Sequence, residues 1–114
     1  MSVVESLMSG AAADVDVLRS LDQHGDDFSV ARDVDFVFRT PTKEKAETVI
    51  GFINDHQYGV ARLEQTENEY RVLVMINMPI QQHVILSVSG FMSCMGTLFG
   101  LEYDGWGCPV KRRT

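Results

Sequence analysis

Apolar and polar positions change period several times along the chain, and each change marks an element. Over residues 1–24, Val4, Leu7, Met8, Ala11, Val15 and Leu18 recur at steps of three and four, with Asp14, Asp16, Arg19 and Asp22 placed elsewhere on the turn. That spacing predicts an amphipathic helix. Gly10 weakens its first part, so the firm segment is expected at about 11–24, with Gly25 just past the end. His24 then sits where a protonated ring favours the helix dipole.

The period becomes two at Asp33-Val34-Asp35-Phe36-Val37-Phe38-Arg39, which predicts a half-buried strand with Val34, Phe36 and Phe38 inward. Thr40-Pro41 reads as a helix start, with Thr40 as cap and proline in the first turn. Ala46, Val49, Ile50 and Ile53 give that helix one apolar stripe, ending near Asp55-His56. Tyr58–Gln65 and Tyr70–Ile76 read as two strands joined by the polar turn 66–69, hence an antiparallel hairpin. The second is rich in β-branched and aromatic residues. Ile80–Phe99 reads as a helix with Val84, Val88, Met92, Met95 and Phe99 inward, and 101–104 as the last strand. It leads into Asp104-Gly105-Trp106-Gly107, where a turn signal predicts a sharp bend that fixes the only tryptophan.

The order is a helix followed by β-α-β-β-α-β. It predicts an α+β fold of the ferredoxin-like, split-βαβ kind: a four-stranded antiparallel sheet with helices on one face, its first and last units neighbours. At 114 residues one domain is expected. It comprises the N-terminal helix, a core over about 33–107 and a short basic tail over 108–114.

Charge alters this picture in one respect. The net charge is −6, and residues 1–35 carry all of it, with eight acids against Arg19 and Arg32. An acidic surface repels phosphate backbones and attracts basic protein segments, so a protein partner is expected and direct nucleic-acid binding is not. From Met75 to Leu101 there is no Asp, Glu, Lys or Arg, a length that invites comparison with a membrane span. Its front belongs to a strand and its rear is rich in Ser, Gly and Thr. A core helix is therefore expected, not a membrane anchor. Two cysteines outside any C-x-x-C pair, and no segment with secretory features, fit a reducing cytoplasm.

Candidate chemistry is sparse. His24, His56 and His83 fall at three different helix ends, with no H-x-H, H-E-x-x-H or C-x-x-C pattern, so no metal site and no cofactor are expected. Ser87-Val88-Ser89-Gly90 is not a nucleophile elbow. Cys94 falls mid-helix, whereas Cys108, beside Trp106 and near Lys111, is the better candidate for thiol reactivity. Glu102 and Asp104 share a strand face, most simply a solvated one. Trp106 is either a packed corner or, with Tyr103 and Asp104, a contact surface. No catalytic set emerges. The alternative to a binding protein is a small enzyme or ligand-binding protein with its site near Tyr103, Asp104, Trp106 and Cys108, and a deep pocket there would favour it.

Leu101-Glu102-Tyr103-Asp104-Gly105-Trp106-Gly107 resembles the C-terminal signature of the bacterial regulator of ribonuclease E activity B family. The similarity runs less sharply from Val34, through Tyr58-Gly59, to Gly107. It implies a ferredoxin-like α/β fold and a non-enzymatic cytoplasmic regulator. Such a protein binds the arginine-rich, noncatalytic part of ribonuclease E and alters RNA decay. Acids facing arginines can pair in bidentate fashion. The chain departs from the best-known members in ending on the basic run Lys111-Arg112-Arg113, where they carry an acidic tail.

Overall fold

The computed structural model describes residues 2–113. Positions 1 and 114, the outer ends of the expected helix and tail, lie outside the described residues. The elements are α1 (Val3–Gln23), β1 (Arg32–Thr40), α2 (Lys43–Asp55), β2 (Val60–Gln65), β3 (Tyr70–Met78), α3 (Gln82–Phe99) and β4 (Glu102–Gly107). The fold is α+β. The strands form one antiparallel sheet in the order β2-β3-β1-β4. The first and last strands of the β-α-β-β-α-β series are thus neighbours.

Strand β1 is central, and its alternation is complete: Val34, Phe36 and Phe38 are fully buried, while Asp33 lies exposed on the other face. Opposite them on β3 stand Ile76, Val74 and Val72. Ala46, Val49 and Ile53 of α2, with Ile85, Met92 and Met95 of α3, complete the same cluster. Each of these buried side chains larger than alanine contributes about 1.5–3 kcal/mol relative to exposure. Asn54 ties α2 to β2 by bonding both the carbonyl and the amide of Ala61, at 3.1 and 2.9 Å.

Three expectations need correction. Helix α1 starts far earlier than position 11, because the Ser2 hydroxyl accepts from the Glu5 amide and caps it. Helix α2 starts at Lys43, not at Thr40-Pro41. Thr40 completes β1, its hydroxyl accepts from the Thr42 amide, and Thr42 is the N-cap. Finally, β4 does not end in a bend before Trp106 but runs through it to Gly107.

Helix α3 is long and apolar enough to cross a membrane by length and composition. Here it packs between α1 and the sheet. Its buried line is Ile85, Ser89, Met92, Met95 and Gly96. Val84, Val88 and Phe99 of the expected stripe sit at the margin of the core. A Cβ at Gly96 would approach the Leu101 carbonyl to 3.0 Å, so glycine there lets α3 lie close to β4.

The segment after β4 is docked. The Asp27 amide donates to Lys111 O at 2.7 Å and the Arg113 amide to Gly25 O at 2.9 Å. Beneath them Arg32 and Asp26 form an ion pair with both side chains wholly buried. Arg32 also donates to the carbonyls of Asp27, Val30 and Pro109, and Asp26 accepts from the Lys111 amide.

Candidate functional site around the last strand

Tyr103 and Trp106 lie three residues apart, which in a regular strand puts side chains on opposite faces. A bulge overrides this. The register against β1 shifts between Phe36 and Phe38, so Phe36 faces Trp106 and Phe38 faces Tyr103. Gly105 takes φ +86° within the extra length, a backbone region open to glycine at little cost. Both aromatic side chains therefore turn to the helix-covered side. The Tyr103 ring lies 5.4 Å from Phe38, and its hydroxyl shares a 2.8 Å hydrogen bond with Ser89. Burial pushes the Tyr103 phenol above its ordinary pKa.

The Trp106 indole is half-buried and donates to Asp14 Oδ1 at 2.9 Å. This bond links α1 to β4. Asp14 is only 6% exposed. Burial raises its carboxyl pKa, opposed by the nearby Ser89 hydroxyl and the Trp106 N–H. Sequence reasoning missed Asp14 by placing it on the polar side of α1. The inward line of the helix is Leu7, Ala11, Asp14, Leu18 and Leu21, whereas Val4 and Met8 are 65% and 70% exposed. The available signal was position: Asp14 falls three after Ala11 and four before Leu18, inside an otherwise apolar stripe.

Asp104 faces the other way. With Glu102 it lies on the bare face of the sheet, around Arg39 of β1. Glu102 Oε1 is 2.9 Å from the guanidinium, Asp104 Oδ2 3.7 Å and Glu69 Oε1 3.7 Å. Asp104, Glu102 and Glu69 together raise the Arg39 pKa. Three acids on one arginine leave this corner negative. The structure thus splits the three expected contact residues, Tyr103 and Trp106 inward and Asp104 outward. The solvated-face reading of Glu102 and Asp104 agrees with their exposure.

Cys108 is partly buried near Arg32, and burial raises its thiol pKa despite that cation. Burial thus works against thiolate formation at Cys108, the better candidate of the two cysteines for thiol reactivity. Among the described residues no group of three or more His, Cys, Asp or Glu is placed to hold a metal ion.

A cleft of about 540 Å³ opens between α1, α3 and β4. Tyr103 and Asp104 line it, but Trp106 and Cys108 do not. A smaller recess of about 90 Å³ continues inward, and Gly10, Asp14, Ser93 and Tyr103 line both.

Fold and site together define a small α+β domain whose helices cover one sheet face and leave the other open, edged by acids. A family model described as regulator of ribonuclease activity B matches residues 11–108. The match takes in most of the chain, from the inward line of α1 through the whole of β4, and the chain belongs to that family. Its members are regulators of a ribonuclease, not enzymes themselves. No curated protein matches the chain.

Proposed function

We propose that this protein regulates RNA decay in the cytoplasm by binding a basic segment of ribonuclease E or of a protein assembled with it, using the open face of the sheet. The observation that carries the reading is the acidic corner of that face, where Glu69, Glu102 and Asp104 surround Arg39, while the neighbouring Arg71 is paired with Glu64. Asp33 and Asp35 extend it along β1, and the half-buried Val37 and Met75 form an apolar centre beside it. An apolar centre with a charged rim is the usual build of a protein interface. The acids supply complementarity to lysine and arginine and speed encounter. Tyr103 and Trp106 serve this site indirectly, by holding β4 in place, and Asp104 is the contact residue of the motif.

The test is a pull-down from bacterial lysate at low and at high salt, with bound proteins identified by mass. Ribonuclease E or its associated proteins should be recovered at low salt and lost at high salt. The double variant Glu102→Gln/Asp104→Asn should lose them at low salt too, with stability changed by less than about 1 kcal/mol, because exposed ion pairs contribute little. Recovery that ignores both salt and the double variant would remove the acidic corner from the reading. A second reading, as a ligand-binding protein, is favoured by the cleft beside Tyr103.

A further inference from the structure

The cleft between α1, α3 and β4 shares Glu102 and Asp104 with the proposed docking face and reaches Asp14 on the helix-covered side of β4. Asp14 lines it and the inner recess, and this acid, 6% exposed, accepts from one neutral side-chain donor, the Trp106 indole. Among the described residues no cation forms an ion pair with it. A buried carboxylate without a counter-charge is costly. Holding the indole does not require that cost, since the amide oxygen of an asparagine would accept the same bond without a charge. A single side-chain donor on Oδ1 also leaves much of the carboxylate's capacity for acceptance unused.

The rest of the cleft shows what would use it. Its charged lining residues are Asp14, Glu102 and Asp104, all acids, so an anion is excluded by repulsion. Ser6 and Ser9 of α1 and Ser93 and Thr97 of α3 supply hydroxyls along the walls. The volume falls in the range of small-molecule sites.

We propose that this cleft binds a small organic cation, an aliphatic amine bearing further polar groups, with its ammonium against Asp14 and its polar groups along the serine and threonine walls. The missing counter-charge is then brought by the ligand, and the ammonium bond to the carboxylate is charge-assisted. The cleft shares Glu102 and Asp104 with the docking face, but its defining group is Asp14, so partner loss in Glu102→Gln/Asp104→Asn and amine loss in Asp14→Asn test the two readings separately.

The sole tryptophan reports on the site, because its indole N–H is bonded to the same carboxylate. The intact chain, labelled with nitrogen-15, is titrated near neutral pH with 1,4-diaminobutane and with ethanolamine. The neutral match is 1,4-butanediol. Both amines should move the Trp106 indole N–H resonance along a saturating curve, and the diol should not. Asp14→Asn should weaken amine binding by about tenfold or more. Gly10→Leu provides a variant that leaves Asp14 and Trp106 in place. Gly10 lines both parts of the cleft, and a Cβ built there meets nothing within 4 Å. Its side chain should fill the cleft and abolish the response without unfolding α1. The proposal is overturned if wild-type protein gives no saturating shift, if the diol gives the same shift as the amines, or if folded Gly10→Leu protein still responds like wild type.

Discussion

Among the described residues two aspartates are buried, Asp14 and Asp26, and they are treated in opposite ways. Asp26, 1% exposed, faces Arg32 in a wholly buried ion pair and also accepts from the Lys111 amide. Asp14 is nearly as buried but accepts from one neutral side-chain donor, the Trp106 indole, and opens onto a cleft. The first charge is matched within the chain and fastens the C-terminal segment to the loop after α1. The second has no counter-charge among the described residues. A matched buried charge is a structural part, whereas an unmatched one beside open volume is placed for a partner from outside.

The most severe way to break this comparison is to unmatch Asp26. Arg32→Met keeps the length of the side chain and removes the guanidinium. It leaves a buried carboxylate without its cation and frees the carbonyls of Asp27, Val30 and Pro109. Stability should fall by about 3–5 kcal/mol, read from the midpoint of urea unfolding. The double variant Asp26→Leu/Arg32→Met should recover most of that loss, because the cost lies in the unpaired charge rather than in the absence of a pair. If Arg32→Met were harmless, the matched site would not be structural in the sense argued.

A smaller effect is expected at the second aspartate. Trp106→Phe keeps a ring against the core and removes the N–H that Asp14 accepts. The loss should be about 1–3 kcal/mol, the usual cost of depriving a buried acceptor of its donor. Because α1 and β4 are joined through this bond, amide exchange along the middle of α1 should quicken more than that of β1 or β3.

Much of the fold was legible in the sequence, and the parts that were not share a physical cause. Strand β1 was read closely because its alternation of Val34, Phe36 and Phe38 with Asp33 and Asp35 is the direct imprint of a one-sided sheet. The family signature was legible at Tyr103-Asp104-Gly105-Trp106. Its geometry was not, since a strand reading assigns faces by parity and the Gly105 bulge breaks parity. Thr40-Pro41 carried the composition of a helix start, yet antiparallel pairing with Tyr70 held Thr40 in the sheet. Asp14, Asp26 and Arg32 were missed for one reason: composition assigns charged residues to water, and only the tertiary packing shows that these three are covered.

The mildest test separates the two regions by the sign of their response to acid. Burial raises the Asp14 pKa, so the folded state holds its proton to higher pH than the unfolded chain does. The contribution of Asp14 to stability is then greatest in acid. It falls as pH rises from the ordinary carboxylate value toward the raised one. Asp27, in the loop that receives the C-terminal segment, has the opposite shift. The Ser29 hydroxyl and amide both donate to it and lower its pKa. Its contribution is present above the ordinary carboxylate value and is lost as pH falls toward the lowered one. Unfolding midpoints measured from acid to neutral pH should therefore separate the variants. Relative to wild type, Asp14→Asn should gain stability as pH rises from the ordinary carboxylate range toward neutral, since it has no charge to desolvate. Asp27→Asn should lose stability over its own window and match wild type in strong acid. If both variants shifted the curve in the same direction, the distinction between an unmatched charge facing a cleft and a matched loop would fail at its electrostatic root.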